Sequence, residues 1–210
     1  MINRKIPANL LTQLWAALIL LLVISGCSSS TSIQINSQFP KVLAEPKPIG
    51  AAILFNDNFI NYSAQPTKNI SIDIGAAQQQ LFTNVFTGLF SHTQFIAPSE
   101  PVAQQVSLVI TPSVHEVQIS TPSDNYLNVF EVWIKYNLVI KTADGEALTN
   151  WFIAAYGKTP DSSAKSKSAA IENATITAIR DAGAKLMLDF YRIPAVYDWV
   201  SKQPPKEGSG

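Results

Sequence analysis

Between residues 129 and 142 the chain alternates with a period of two. Phe130, Val132, Ile134, Tyr136, Leu138 and Ile140 take one parity, and Glu131, Trp133, Lys135, Asn137, Val139 and Lys141 the other. Successive side chains of a strand point to opposite faces, so this is a long strand with one apolar face and one mixed face. Asp144-Gly145 follows as a hairpin signal, and residues 148–156 read as the returning strand. A hairpin of this length needs cover on its apolar side and leaves its other face to water or to a partner. The rest of the chain has to supply that cover.

Two stretches are suited to it. Ile74, Ala77, Leu81, Val85, Phe86 and Leu89 recur at three and four, predicting a helix that runs from a cap at Ser71 or Asp73 to about residue 90. Ile171, Ala178, Ile179, Ala182, Leu186 and Phe190 predict a second helix over about 168–191, stopped by Pro194. Residues 49–55 and 93–97 read as short strands, 57–67 and 158–167 as polar loops, and 195–200 as a short last segment carrying Tyr197 and Trp199. Residues 106–120 form a long strand whose apolar parity switches between Ile110 and Val117. A bulge near Pro112 would reconcile the two halves. The expected order is β-α-β-β-β-β-α. It describes an α+β fold, a mostly antiparallel sheet with two helices packed on one face.

The first thirty residues address a different question. Arg4 and Lys5 precede an unbroken apolar run over 14–24, then Ser25, Gly26 and the only cysteine, Cys27. The pattern is that of a secretory signal peptide. As a helix the run is about 16 Å long, short of the roughly 20 residues that a membrane span needs. A lone cysteine in an exported chain has no internal disulfide partner. Ile24-Ser25-Gly26-Cys27 resembles the lipobox of bacterial lipoproteins. The resemblance implies cleavage before Cys27, a diacylglycerol on its thiol and an acyl chain such as palmitate on the new amine. Each buried methylene adds about 0.8 kcal/mol, so two or three chains hold a domain at a membrane. Ser28 rather than Asp after the cysteine implies the outer membrane, with the domain facing the periplasm.

The expected organisation is a signal peptide over 1–26, a lipidated Cys27 with a Ser- and Pro-rich tether over 27–48, one α+β domain over 49–200, and a disordered tail over 201–210. The whole chain carries 15 basic and 15 acidic residues with no basic stripe, which argues against nucleic acid.

Catalytic patterns do not assemble. Ser162-Ser163-Ala164-Lys165 and Ser123-Asp124-Asn125 match fragments of the serine β-lactamase pattern, but in reversed order and without K-T-G. His92, at an expected helix end, and His115, beside Glu116 with the two on opposite faces, have no metal-type neighbours. Asp57, Asp73, Glu116 and Glu131 give no carboxylate pair that the sequence singles out. The chain is therefore read as a non-enzyme with no catalytic residue, no metal and no cofactor. Tyr126, Trp133 and Trp151 are the candidate partner-binding residues, as an aromatic patch on the outer face of the sheet. Gly157 reads as a strand exit, and Arg180, Asp181 and Lys185 as a solvated helix face.

Lipobox, tether and element order together resemble small Gram-negative envelope lipoproteins, such as the auxiliary lipoproteins of ABC-type transporters and the lipopolysaccharide-assembly lipoproteins. F-E-V-W-I-K-Y at 130–136, Y-G-K-T-P at 156–160 and R-D-A-G-A at 180–184 also look like a group of uncharacterised proteobacterial lipoproteins. The resemblance implies a membrane-anchored accessory of a transport or assembly complex, with an envelope protein as partner. The alternative is a binding module for an apolar or glycan ligand. That reading expects a cavity bordered by Phe86, Phe90 or Phe190.

Overall fold

The computed structural model describes residues 30–41 and 43–203. The expectations for the signal peptide, for lipidation of Cys27 and for residues 204–210 lie outside the described residues. Eight strands and five α-helices are described. They are β1 (Thr31–Gln34), β2 (Lys47–Leu54), α1 (Asp57–Ile60), β3 (Ser63–Thr67), β4 (Ile70–Asp73), α2 (Gly75–Leu89), β5 (Phe90–Ile96), β6 (Leu108–Ser120), α3 (Pro122–Asn125), β7 (Val129–Thr142), β8 (Ala147–Pro160), α4 (Lys167–Asp189) and α5 (Pro194–Ser201). Among the described residues no helix is long and apolar enough to cross a membrane.

The α+β class holds, but the sheet is mixed rather than mostly antiparallel. Five strands lie in the order β5-β2-β6-β7-β8, and β2 is parallel to both of its neighbours. The sequence carries the reason. Residues 49–53 are buried one after another, because β2 is covered on both faces, and a continuous apolar run is how an interior parallel strand reads. Its second cover is the connection from β5 to β6, which packs Val106 against Ala52 and Ile96. This leaves the outer face open only over β6, β7 and β8.

The hairpin of β7 and β8 forms with the expected faces. Phe130, Val132, Ile134, Tyr136, Leu138 and Ile140 are all buried. Gly145 takes a positive φ of 90° in the turn, and the Thr142 amide donates to the Glu146 carbonyl. In β6 the bulge lies at His115, where the register passes from Val114 to Glu116, and not at Pro112, which stays in register opposite Leu138. Pro112 is tolerated because β2 pairs with β6 only as far as Ile110.

Cover comes from α2 and α4 on the same side of the sheet, joined by an unexpected second sheet with the order β1-β4-β3, so that five described helices and a longer series of strands replace the expected two helices and the order β-α-β-β-β-β-α. Two expectations are thereby corrected. Residues 57–67 are not a plain loop, and the stretch read as a tether contributes β1 and packs Ile33, Ile35 and Phe39 into the core. Ser71 and Asp73 are strand residues and do not cap α2. Instead the Ile74 and Gly75 amides both donate to the Tyr62 carbonyl. α4 is capped by Ser166, whose hydroxyl accepts from the Ala169 amide. Pro194 opens α5 after a 3-10 turn over Phe190–Arg192.

The interior is aromatic. Phe59, Phe82, Phe86, Phe90, Phe190 and Tyr136 are fully or almost fully buried, and neighbouring rings sit 5.1 to 6.4 Å apart. Rings fill the space beside Phe86, Phe90 and Phe190 where the alternative reading expects a ligand cavity.

Candidate functional site: the open face of β6, β7 and β8

The two parities of β8 decide which aromatics reach the open face. Trp151 is paired with Leu138 and packs on the core side, whereas Phe152, Ala154 and Tyr156 point outward. Trp133 lies opposite Tyr156, with ring centroids 5.3 Å apart, and is 38% exposed. Phe152 is 49% exposed, and its ring meets His115 edge-on at 5.8 Å and carries the Lys135 ammonium 4.8 Å from its centroid. Of the three residues expected to form the patch, only Trp133 belongs to it. Trp151 faces the other way, and Tyr126 stands at the tip of the β6–β7 connection, 89% exposed. Phe152, Tyr156, His115 and Lys135 complete the cluster in their place.

The bulge matters here. In an unbroken strand His115 and Glu116 would face opposite sides. Here both are exposed, His115 against Phe152 and Glu116 opposite Lys135. His92, expected at a helix end, is an exposed residue of β5. A shallow depression of about 240 Å³ lies in the middle of the face, between Glu116, Gln118, Trp133, Lys135 and Ala154. Ala154 creates it, since its small side chain stands between Phe152 and Tyr156 on β8.

Polar groups on the face are mostly committed. The Tyr156 hydroxyl donates to Glu131 Oε1 at 2.6 Å, and Asn125 Nδ2 donates to Glu131 Oε2 at 3.0 Å. The bond to Glu131, with burial and the carboxylate charge adding to it, pushes the Tyr156 hydroxyl up to about 12. It is therefore a neutral donor at physiological pH. Gln118 Nε2 donates to Glu116 Oε1 at 2.5 Å. The result is an aromatic surface with a polar rim.

The free edge of β8 is sealed, which the sequence reading missed. Asp181 accepts from the Tyr156 amide at 2.9 Å, and Lys185 donates to the Ala154 carbonyl at 2.6 Å and to Asp181 at 2.7 Å. These two residues are no idle solvated pair; they satisfy edge groups that would otherwise invite another strand. Gly157 is no exit turn either. It sits within β8 without a positive φ, and a Cβ there would lie 2.0 Å from the Ala174 carbonyl oxygen. The lactamase-like fragments fall on two neighbouring turns, where Asp124 binds the Thr121 amide and hydroxyl and Ser163 binds the Pro160 carbonyl.

No family model matches the chain, and no curated protein matches it. Among solved structures it is similar to a Xanthomonas campestris protein of family DUF330, at 10% identity and a TM-score of 0.52, over 81% of this chain and 99% of that one. A lipoprotein candidate from Caulobacter crescentus matches at 15% identity and a TM-score of 0.38, over 61% and 84%. The dodecameric PelC of Paraburkholderia phytofirmans matches at 14% identity and 0.41, over 69% and 91%. The first match shows a shared fold.

Proposed function

We propose that the chain is a lipid-anchored, non-enzymatic accessory of an envelope transport or assembly complex. It is held at the periplasmic side of the outer membrane through Cys27 and docks an envelope protein on the open face of β6, β7 and β8. The observation that carries the reading is the uncovered cluster of Trp133, Tyr156 and Phe152 on a face whose two ends are otherwise closed, by the β5–β6 connection on one side and α4 on the other. Strand addition at β8 is disfavoured by the Asp181–Lys185 seal, so the face is the route to a partner. An accessory role is further supported by the commitment of Glu131 and Asp181 to structural hydrogen bonds.

The test is photocrosslinking in the native host from a probe at Phe152, with a probe at Asp144 as control. A single defined protein captured from Phe152 and lost in the folded Trp133→Ala variant is the expected result. Equal capture from both positions, or none from Phe152, refutes the docking face. Cys27→Ala tests the anchor separately, by release of the protein from membranes.

A second reading has one observation behind it. Phe39, Leu81, Val85 and Met187 line an apolar groove of about 440 Å³ between α2 and α4. Lipid retained by the purified protein and displaced by Ala184→Phe, at an exposed position on the groove wall, would favour the binding module.

A further inference from the structure

Three connections of the fold gather at one end of the domain. β6 ends at Ser120, β7 starts at Val129 and β8 ends at Pro160, with Ser120 opposite Glu131 and Val129 opposite Pro160. The connections 121–128 and 161–166 therefore close the same end of the sheet. α4 starts there and runs antiparallel to β8, with Ala174 against Gly157 and Lys185 at Ala154. α2 runs parallel to α4, with Leu81 at Gly183 and the Tyr191 hydroxyl on the Leu89 carbonyl. At this offset the first turns of α4 project past the start of α2 by roughly 15 Å, at 1.5 Å per residue. β1 packs on α4, and the chain leaving it passes along α2, from Ile35 beside Ala77 to Phe39 beside Leu81. Thr31 accordingly enters at the projecting end, where its amide donates to the Asn69 carbonyl in the β3–β4 turn.

Three residues lie between Cys27 and Thr31, and the four steps reach about 14 Å at most. A chain lipidated at Cys27 holds this end of the domain against the bilayer. The end is built for that position. Tyr126 and Leu127, 89% and 67% exposed, stand at its tip. Tyr126 and Asn128 both take positive φ, 56° and 54°, a conformation that costs a non-glycine residue about 1–2 kcal/mol. Asn125 holds them there. Its side chain donates to the Val129 carbonyl at 2.9 Å and to Ser120 Oγ at 3.1 Å, and accepts from the Leu127 amide at 3.0 Å. The adjoining connection, tied to the tip by the Asp161 amide on the Asn128 carbonyl, carries exposed Lys165, exposed Lys167 opens α4, and the β3–β4 turn carries exposed Lys68. Asp124 is bound within its capping box, and exposed Asp161 stands against the three lysines.

We infer that Tyr126 and Leu127 insert into the interfacial layer of the membrane, with Lys68, Lys165 and Lys167 on anionic headgroups, so that the domain has a second membrane contact besides its lipid. Tyrosine with an apolar neighbour suits the headgroup boundary, and lysines add attraction to anionic lipid. The contact is weak by itself and counts because the anchor keeps it at high local concentration. The inference rests on lipidation of Cys27.

The test uses the intact lipoprotein in vesicles of phosphatidylethanolamine and phosphatidylglycerol. Acylation consumes the only native thiol, so Leu127→Cys and Asp144→Cys each offer one labelling site, at opposite ends of β7. A fluorophore at Leu127→Cys should be quenched by spin-labelled lipid, and one at Asp144→Cys should not. Thr67→Cys, at an exposed position beside the β3–β4 turn, gives an independent reading. It should also be quenched, and Leu127→Asp should reduce its docked population about tenfold or more. Equal quenching at 127 and 144, or no effect of Leu127→Asp on the Thr67→Cys signal, overturns the inference. The mass of the N-terminal peptide separates the two failures. Without acyl chains the anchor reading falls and takes this inference with it, whereas an acylated chain with an unquenched label at 127 sinks the membrane contact alone.

Discussion

Gly157→Ala probes the contact that both shapes and protects the candidate face. The added Cβ would sit 2.0 Å from the Ala174 carbonyl oxygen, 2.4 Å from the Ala178 amide nitrogen and 2.9 Å from the Thr177 Cβ. Two of those three atoms belong to helix backbone, so no side-chain rotation relieves the clash, and α4 must retreat from β8 by more than an ångström. Overpacking of this kind costs about 1–3 kcal/mol. Retreat also stretches the Tyr156–Asp181 and Lys185–Ala154 bonds. Hydrogen bonds to charged groups contribute about 1.5–3 kcal/mol when shielded, and the partial exposure of Asp181 and Lys185 places these near the lower figure. A loss of about 3–4 kcal/mol is expected, or roughly 10 °C in Tm for a domain of this size. The unfolded chain works in the opposite sense, since Gly→Ala alone stabilises by about 0.4–1 kcal/mol through reduced chain entropy. Thermal unfolding followed by circular dichroism gives the value. Gly145→Ala is the comparison, because its Cβ meets nothing within 4 Å and only its φ of 90° opposes it. A Gly157→Ala protein that melts within about a degree of the parent would refute the close-contact reasoning.

Two further outcomes follow from buried or bonded tyrosines. The Tyr136 hydroxyl is fully buried and, among the described residues, has no hydrogen-bond partner, so Tyr136→Phe should be neutral or stabilising by about 1 kcal/mol in urea unfolding. Tyr156 should titrate near 12 by tyrosinate absorbance, and Glu131→Gln should bring its midpoint down toward the ordinary value of about 10. Its folded pKa is raised, so its contribution to stability is complete below pH of about 10 and is lost as pH rises through about 12.

The faces of β7 were legible because its alternation is unbroken and one face is wholly core. The faces of β8 were not. Residues 151–156 run Trp-Phe-Ile-Ala-Ala-Tyr, apolar at both parities, so hydropathy does not say which set points inward. Register does, and it places Trp151 with Leu138 inside and Tyr156 with Trp133 outside. The second sheet was missed for a related reason. β1, β3 and β4 are four or five residues long, each with a single buried side chain, β1 and β3 are largely polar, and β3 contains Pro66. Such strands owe their form to the surfaces they cover and leave little local pattern. The parity switch in β6 was visible, but its position was not, because the bulge sits where His115 turns onto the open face and not at the residue that breaks hydrogen bonding.

The position of the open face limits what can dock there. Trp133 lies five residues along β7 from Asn128, roughly 17 Å at 3.4 Å per residue. With the tip of the β6–β7 connection in the headgroup layer, Trp133 and Tyr156 stand within about 20 Å of the bilayer, and Phe152 lies four pairs further out. A partner that covers Trp133 is then itself held at the same membrane or reaches down to it. A partner bound far from the lipid would have to engage the Phe152 and His115 end first. Detergent extraction therefore tests more than the anchor. Loss of the crosslink from Phe152 when the membrane is dissolved, with the two proteins still present and folded, would show that the bilayer supplies part of the affinity by holding both partners in register. Retention of the crosslink in detergent would show that the aromatic face is sufficient by itself.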